Sequence, residues 1–392
     1  STTMAFVRIL TILCKNKNIG KRIVPIIPDE ARTFGIDPLF RQIGIYSHAG
    51  QLYEPVDSEQ FLYYKEAKDG QILEEGLTEA GSMSSFIAAA TSYSCHDITM
   101  IPFYIFYSMF GFQRVWDLIW AASDMRARGF LIGGTAGRTT LNGEGLQHQD
   151  GHSHLAAACT PNIKSYDLAY GYELAVVIQN GLKEMLEDKK DVIYYITVEN
   201  ENYKHPAIIT DIEEEIIKGM YKIKSTNKPV ARILGSGPLM NEAIAAADLL
   251  NNDWNIEVDI WNITSFNELR RDAEDTERWN LLHTDKKTRE SHLQKCFKNL
   301  NVPNIAVSDY VKMHSEQIAK YVPGAYYALG TDGFGRSDSR ENLRKFFEVD
   351  RYYIVLSVIR ALAIKNDIEF GIIDKVMVKY NLDNEKKNPI NI

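Results

Sequence analysis

"MIPFYIFYSMFGFQRVWDLIWAASDMRARGFLIGGTAG", residues 100–137, opens on an aromatic run, continues through Trp116, Leu118 and Ile119, and closes on a second apolar run ending in glycines. The first run, "MIPFYIFYSMFGF", reads as an aromatic strand leading to a helix, and "RGFLIGGTAG" as the next strand. Working outward, "RIVPIIPDEARTFG" is a β-branched strand stopped by prolines, with Asp29 and Glu30 just past its end. Strand ends of α/β sheets are where ligand-facing residues collect. "GLTEAGSMSSFIAAATSYS" reads as a helix of small residues with Glu79 near its start, "AYGYELAVVIQNGLKEML" as an amphipathic helix and "DVIYYITV" as a buried strand. This alternation over residues 1–200 predicts an α/β fold with a parallel, doubly wound sheet. At the front, Ser1 is placed to cap an amphipathic helix carrying Ala5, Phe6, Ile9, Leu10 and Leu13, without an initiator Met, as in a chain cut at a domain boundary.

Residues 200–228 are polar and charged and read as a linker. A second α/β unit follows in "PVARILGSG", "LMNEAIAAADLLNN" and "IEVDIWNITSF", a strand, helix and strand. "NIAVSDYV", "YYALGTDGFG" and the helix "RYYIVLSVIRALAI" complete it, with Asp272–His292 read as a solvated charged excursion and "NLDNEKKNPINI" as a polar tail. The sequence holds no repeat and no low-complexity tract.

The chain has 392 residues, 45% hydrophobic and 24% charged, enough to bury the cores of two domains. A formal net charge of −8 gives no overall basic field for nucleic acid or an anionic membrane, and neither is expected as a partner. Apolar runs are too short to cross a bilayer and no leader precedes the first helix, so a cytoplasmic location is expected. Cys14, Cys95, Cys159 and Cys296 form no CxxC pair, which points to free thiols used in packing.

Chemistry concentrates in "GRTTLNGEGLQHQDGHSH", residues 137–154, where two acids, three histidines and four glycines crowd together. His148, Asp150, His152 and His154 are acceptable zinc ligands, which leaves a zinc hydrolase open. The pattern is not HExxH, and on pattern alone a polar, solvated loop is the favoured reading. "LGSGPLMNEA" (234–243) and "GTDGFGRSD" (330–338) are either phosphate cradles or tight turns; the first has strand-turn-helix context but lacks GxGxxG and the Walker lysine. Glu79 sits among Leu77, Ala80, Gly81 and Met83, where desolvation would raise its pKa toward the range useful for proton donation. The alternative is an exposed acid favoured by the helix dipole. The aromatic stretch 103–114 is either core or the wall of a pocket for a flat heterocycle.

Taken in order, "PDEARTFG", "LFRQIGIYS", "YSMFGFQR", "GRTTLNGEGLQHQDGHSH", "LGTDGFGRSDSRENLR" and "FFEVD" resemble signature stretches of the single-chain, homodimeric type of pyruvate dehydrogenase first component, over essentially all of the chain. The resemblance implies two domains of the thiamin diphosphate, transketolase-like superfamily. They are a pyrimidine-binding middle domain over 1–208 and a C-terminal domain over 209–392. A diphosphate-binding domain is missing, because no Gly-Asp-Gly motif with its Asn segment appears. Mg²⁺ would be bound through that missing part, so no metal ligand is expected here.

By position, Glu79 matches the family glutamate that hydrogen-bonds a ring nitrogen of the cofactor, Leu77 the apolar prop that bends it, and Phe110 the ring that stacks on its pyrimidine. Tyr107, Glu30 and His148 match residues on the substrate side, with Asp29 supporting them and Glu144 beside His148. The family decarboxylates pyruvate and acetylates the lipoyl group of dihydrolipoyl acetyltransferase, linking glycolysis to acetyl-CoA. The chain alone is expected to be inactive, needing a second copy or a partner chain, and a split subunit of another thiamin diphosphate enzyme is the same-fold alternative. The C-terminal domain is mainly structural in the family, which favours tight turns for the two glycine-rich segments.

Overall fold

The computed structural model describes residues 1–28, 31–298 and 300–392. These form two compact units: Ser1–Ala136 with Ala156–Ser165 and Leu174–His205, and Gly137–Leu155 with Tyr166–Glu173 and Pro206–Ile392.

In the first unit, helix α1 (Thr2–Cys14) starts at Ser1, whose hydroxyl accepts from the Met4 N–H at 3.3 Å, and it buries Phe6, Val7 and Leu10. Strands β1 (Ile23–Ile27) and β2 (Leu73–Glu74) precede helix α2 (Glu79–Ala90). Then come β3 (Ile101–Tyr107), α3 (Ser108–Asp124), β4 (Gly129–Gly134), α4 (Ser153–Cys159), β5 (Ile163–Asp167), α5 (Gly171–Leu186) and β6 (Ile193–Thr197). The sheet order is β2-β1-β3-β4-β6-β5, with β1 parallel to β2 and β3, and β4 parallel to β3 and β6.

A parallel strand covered on both faces must be apolar throughout, and β3 is buried at every position but its last. Phe103 and Phe130 stack across β3 and β4 at 4.5 Å. The aromatic run stops being strand sooner than its composition suggests, because Ser108 already begins α3. The turn is tight at Gly111, where a Cβ would lie 2.0 Å from the Phe106 ring. Val115 (φ −131°, ψ 25°) then breaks α3 into two pieces.

The second unit overturns the linker reading. Residues 213–224 contain α6 (Glu213–Lys218), closed by left-handed Gly219, and β7 (Met220–Lys224), an antiparallel edge strand. Strands β8 (Ala231–Gly235) and β9 (Val258–Ile263) flank α7 (Met240–Trp254). Helix α8 (Phe266–Leu282) runs through much of the stretch expected to be a solvated excursion. Phe266, Leu269, Ala273 and Thr276 form its buried stripe at helical spacing, and the charges take the opposite face. Helix α9 (His292–Phe297), strands β10 (Asn304–Val307) and β11 (Tyr326–Leu329), and helices α10 (Arg340–Phe347), α11 (Arg351–Ile364) and α12 (Gly371–Lys379) complete the unit. The sheet order is β11-β10-β8-β9-β7.

All four cysteines are free, but Cys95 and Cys159 are exposed and only Cys14 is buried, so packing accounts for a minority of them. Among the described residues no helix is long and apolar enough to cross a membrane.

Candidate active site

In the first unit the chemistry sits at the carboxyl ends of the parallel strands, where open α/β sheets collect ligands. Tyr107 ends β3, and its ring meets Phe110, one turn into α3, edge-on at 5.7 Å and Phe34 at 5.2 Å. Arg114, another turn along α3, lays its guanidinium 3.9 Å from the centre of the Phe110 ring. Its Nη1 donates to Glu79 Oε1 at 2.5 Å. Glu79 is the first residue of α2, which Thr78 caps by accepting from the Gly81 N–H at 3.1 Å. The Glu79 side chain is 17% exposed and its backbone carbonyl accepts from the Tyr104 hydroxyl at 3.2 Å. Burial, with the charge of Glu79 nearby, pushes the Tyr104 hydroxyl well above the usual phenol range.

Leu77 projects into solvent, 74% exposed, after a glycine whose φ of +65° few other residues adopt. The strand ends are crowded behind this group: a Cβ on Gly134 would lie 2.5 Å from the Phe34 ring, and one on Gly133 2.6 Å from the Tyr195 hydroxyl. Asp29 and Glu30, expected at the end of β1, lie outside the described residues. Arg114 is the member of this group that sequence reasoning missed; its spacing from Phe110, four residues on a helix, was the available signal.

The histidine-rich stretch belongs to the second unit and is held by side chains far away in sequence. Asp309 is its main anchor. One carboxylate oxygen accepts from the Thr139 N–H and hydroxyl at 2.8 and 2.7 Å, the other from those of Thr140 at 2.9 and 2.7 Å. Gly137 is required here, with φ +83° and no room for a Cβ, which would lie 2.4 Å from Asp309. Arg138 is buried and donates to the carbonyls of Thr331 and Gly333 at 2.5 and 2.6 Å. Gln149 accepts from the Arg336 N–H at 2.6 Å and donates to the Leu141 carbonyl at 2.8 Å. The "GTDGFGRSD" segment is thus a loop whose backbone receives other parts of the chain. In "LGSG", Gly237 (φ +52°) packs against Asp167, where a Cβ would lie 2.6 Å from the carboxylate.

Within that framework His148 is half-buried in a 3₁₀ turn, Leu146–His148. Glu144 is half-buried and its carbonyl accepts from the Ser337 hydroxyl at 3.0 Å. The other candidate ligands of a zinc site are used differently. Asp150 accepts from the His152 and Ser153 N–H groups at 2.9 and 3.0 Å and from the Ser153 hydroxyl, at the start of α4. His154 is buried, stacked on His314 at 5.0 Å and edge-on to Tyr310 at 4.7 Å. His152 is exposed. Among the described residues no three His, Cys, Asp or Glu side chains come together as a metal site, which removes the basis for the zinc hydrolase.

Comparison with known proteins assigns the chain to two family models, the first of which also takes in residues 137–155. Residues 1–206 match the family model of the pyruvate dehydrogenase E1 component middle domain, and residues 219–350 that of the transketolase-like C-terminal domain. The chain is 58% identical to a pyruvate dehydrogenase E1 component of Pseudomonas aeruginosa, over all of this chain and 45% of that protein. It is 52% identical to the Escherichia coli K12 protein of the same name, over 99% of this chain and 44% of that one. It therefore spans less than half the length of these relatives. Among solved structures, transketolase from Leishmania mexicana has a TM-score of 0.68 at 17% identity, covering 92% of this chain and 45% of the other. Transketolase from Campylobacter jejuni has a TM-score of 0.67 at 15% identity, covering 92% and 46%. At these identities the likeness is one of fold.

Proposed function

The chain belongs to the pyruvate dehydrogenase E1 component family, and on that premise we propose that it supplies the pyrimidine-binding half of a thiamin diphosphate site that decarboxylates pyruvate. The observation that carries this reading is the Glu79, Arg114 and Phe110 group. A planar guanidinium already lies on the Phe110 ring and donates to Glu79, so the pair accepts a flat group with N–H donors at its rim. The imino or protonated form of an aminopyrimidine, which carries a ring N–H, has the same requirements.

When bound, thiamin diphosphate supplies an acidic thiazolium carbon and an electron sink for decarboxylation of a 2-oxo acid. Glu79 would hydrogen-bond a ring nitrogen of the pyrimidine, Phe110 would stack on that ring once Arg114 moves off it, and the exposed Leu77 would support the cofactor. Tyr107, His148 and Glu30 orient the substrate by hydrogen bonds, with Asp29 and Glu144 supporting them. In this reading the diphosphate and its metal would be held by the family's diphosphate-binding domain, supplied by other polypeptide. A second copy or a partner chain completes the site, and the acetyl group passes to the lipoyl group of dihydrolipoyl acetyltransferase, in the cytoplasm.

The test grafts this chain into the Pseudomonas aeruginosa relative in place of the 45% it matches. The chimera is expected to release CO₂ from pyruvate with thiamin diphosphate and Mg²⁺, and the chain alone to release none. In the chimera, Glu79→Ala lowers turnover by about 10²–10⁴-fold, slows proton exchange at the thiazolium carbon, and leaves the unfolding midpoint in place. Unchanged exchange in that variant defeats the assignment of Glu79; an inactive chimera that folds and binds cofactor defeats the functional reading.

A further inference from the structure

A cleft of about 430 Å³ opens in the first unit at the edge of the sheet opposite to Tyr107 and Gly134. Its walls are the last turn of α3 (Trp120, Ser123, Asp124) and the turns that lead into β4, β5 and β6 (Arg126, Asn162, Asp191). All three turns precede their strands, so the cleft lies away from the strand ends that carry Tyr107 and Phe110. Its volume falls within the roughly 300–1,000 Å³ of small-molecule sites.

The lining carries two carboxylates, Asp124 and Asp191, and one guanidinium, Arg126; Asp191 Oδ1 also accepts from Arg128 Nε and Nη2 at 2.9 and 2.7 Å and from the Tyr93 hydroxyl at 3.3 Å. Asn162 is oriented by its amide nitrogen, which donates to the carbonyls of Ser123 and Asp191 at 3.3 and 3.5 Å, and this leaves Asn162 Oδ1 as the free end. Asn162 Oδ1 and Ser123 Oγ are both buried without a hydrogen-bond partner. An unsatisfied buried polar atom costs roughly 1–3 kcal/mol and calls for an explanation. Asp124 is exposed at the C-terminal, partially negative end of the part of α3 that follows the break at Val115. Asp191 is paired with Arg128 at 2.7 Å, while the Arg126 guanidinium hovers 3.9 Å from its other oxygen, beyond hydrogen-bond reach. Arg126 is 77% exposed in its side chain and sits in a left-handed turn, φ 62°, that aims it across the opening.

Trp120 supplies the aromatic wall. Trp120 is 49% exposed, and Trp116, one turn earlier, is tied down by its indole N–H, which donates to the Thr160 hydroxyl at 3.2 Å. A half-exposed indole beside unpaired acceptors and a helix C-terminus attracts a cation through the ring face as well as through the acids.

We propose that this cleft binds an organic cation, an ammonium or guanidinium on a body flat or aliphatic enough to lie on Trp120, with Asp124 and Asp191 as its counter-charges. Arg126 is the chain's own weak occupant and competes with the ligand. Two sources share this chemistry: a free amine or guanidine, and the side chain of a basic peptide.

The test is calorimetric titration of the intact chain with N-acetyl-arginine amide, its uncharged isostere N-acetyl-citrulline amide, and agmatine as the free guanidine. Saturable binding of a guanidinium compound with none of the citrulline compound is expected. Tighter binding of the acetylated amide than of agmatine identifies a peptide source, and the reverse a free amine. Trp120→Ala and Asp124→Asn each weaken binding by about tenfold, whereas Arg126→Ala strengthens it severalfold by removing the competitor. Because these side chains lie on the surface, the variants are expected to fold, which far-ultraviolet circular dichroism checks. Equal binding of the citrulline compound, absence of saturable binding, or weaker binding in Arg126→Ala overturns the proposal.

Discussion

Each histidine of the 137–154 stretch has a different fate, decided by what packs on it. His154 and His314 face one another inside the second unit with Tyr310 and Phe266 around them, and burial holds both rings neutral, His314 down to about 3. Unfolded, both titrate near 6.5, so below that pH the unfolded chain takes up protons that the folded chain refuses. Their contribution to stability is present above pH ~6.5 and lost as pH falls, by up to about 1.4 kcal/mol per pH unit for each ring. Glu173 pulls the other way. Buried among the Tyr221 hydroxyl, the Asn262 amide and the Tyr170 N–H, its carboxyl is raised to about 7 by burial. Between its ordinary 4.5 and 7 the folded state keeps a proton that the unfolded state releases, which favours folding as pH drops. Two rings against one carboxyl give a net loss. Urea midpoints are therefore expected to fall between pH 7.5 and 5.5, and to fall less in His314→Phe, which keeps a ring and removes one titration; equal falls in both proteins would show that the pair does not govern this range. Sequence reasoning sets His148 apart from His152 and His154, which it reads as structural partners, but the packing partners of His154, Tyr310 and His314, lie more than 150 positions away and are not legible in it.

At the level of elements, strands were legible wherever burial on both faces demands an unbroken apolar run, as in β3, β4 and β6. Elements half exposed to water were harder. Helix α8 hid in a charged run because its stripe is narrow, and β7 hid in an apparent linker because an edge strand needs few apolar residues. The loop 137–155 has no regular pattern to read, and its order comes from tertiary hydrogen bonds, above all the four that converge on Asp309. Burial raises the pKa of that carboxyl, and the charge of Arg344 with the bonds from Thr139 and Thr140 opposes the rise. Asp309→Ala is expected to leave the donors of Thr139 and Thr140 unsatisfied, at roughly 1–3 kcal/mol for each group left without water or a partner. Hydrogen exchange is the measurement: amides of residues 138–149 should lose protection in the variant while those of β3 and β4 keep theirs, and uniform loss across the chain would mean that Asp309 supports the whole fold instead.

For the whole molecule, the boundary read near residue 208 falls close to where the main portions of the two units part, but the second unit also claims residues 137–155 and 166–173. A polypeptide cut after residue 208 is expected to leave 137–155 digestible by protease, since Asp309 is no longer present; a resistant 137–155 in that piece would show the stretch to be self-sufficient. The same interleaving has a consequence on the ribosome. Thr139 and Asp309 are 170 positions apart in sequence. At about 5–20 residues per second, the stretch bearing His148 leaves the exit tunnel roughly ten to thirty seconds before the aspartate that organises it. During synthesis it is a waiting segment, on offer to chaperones and proteases, and the pace of translation through the later strands sets how long that exposure lasts.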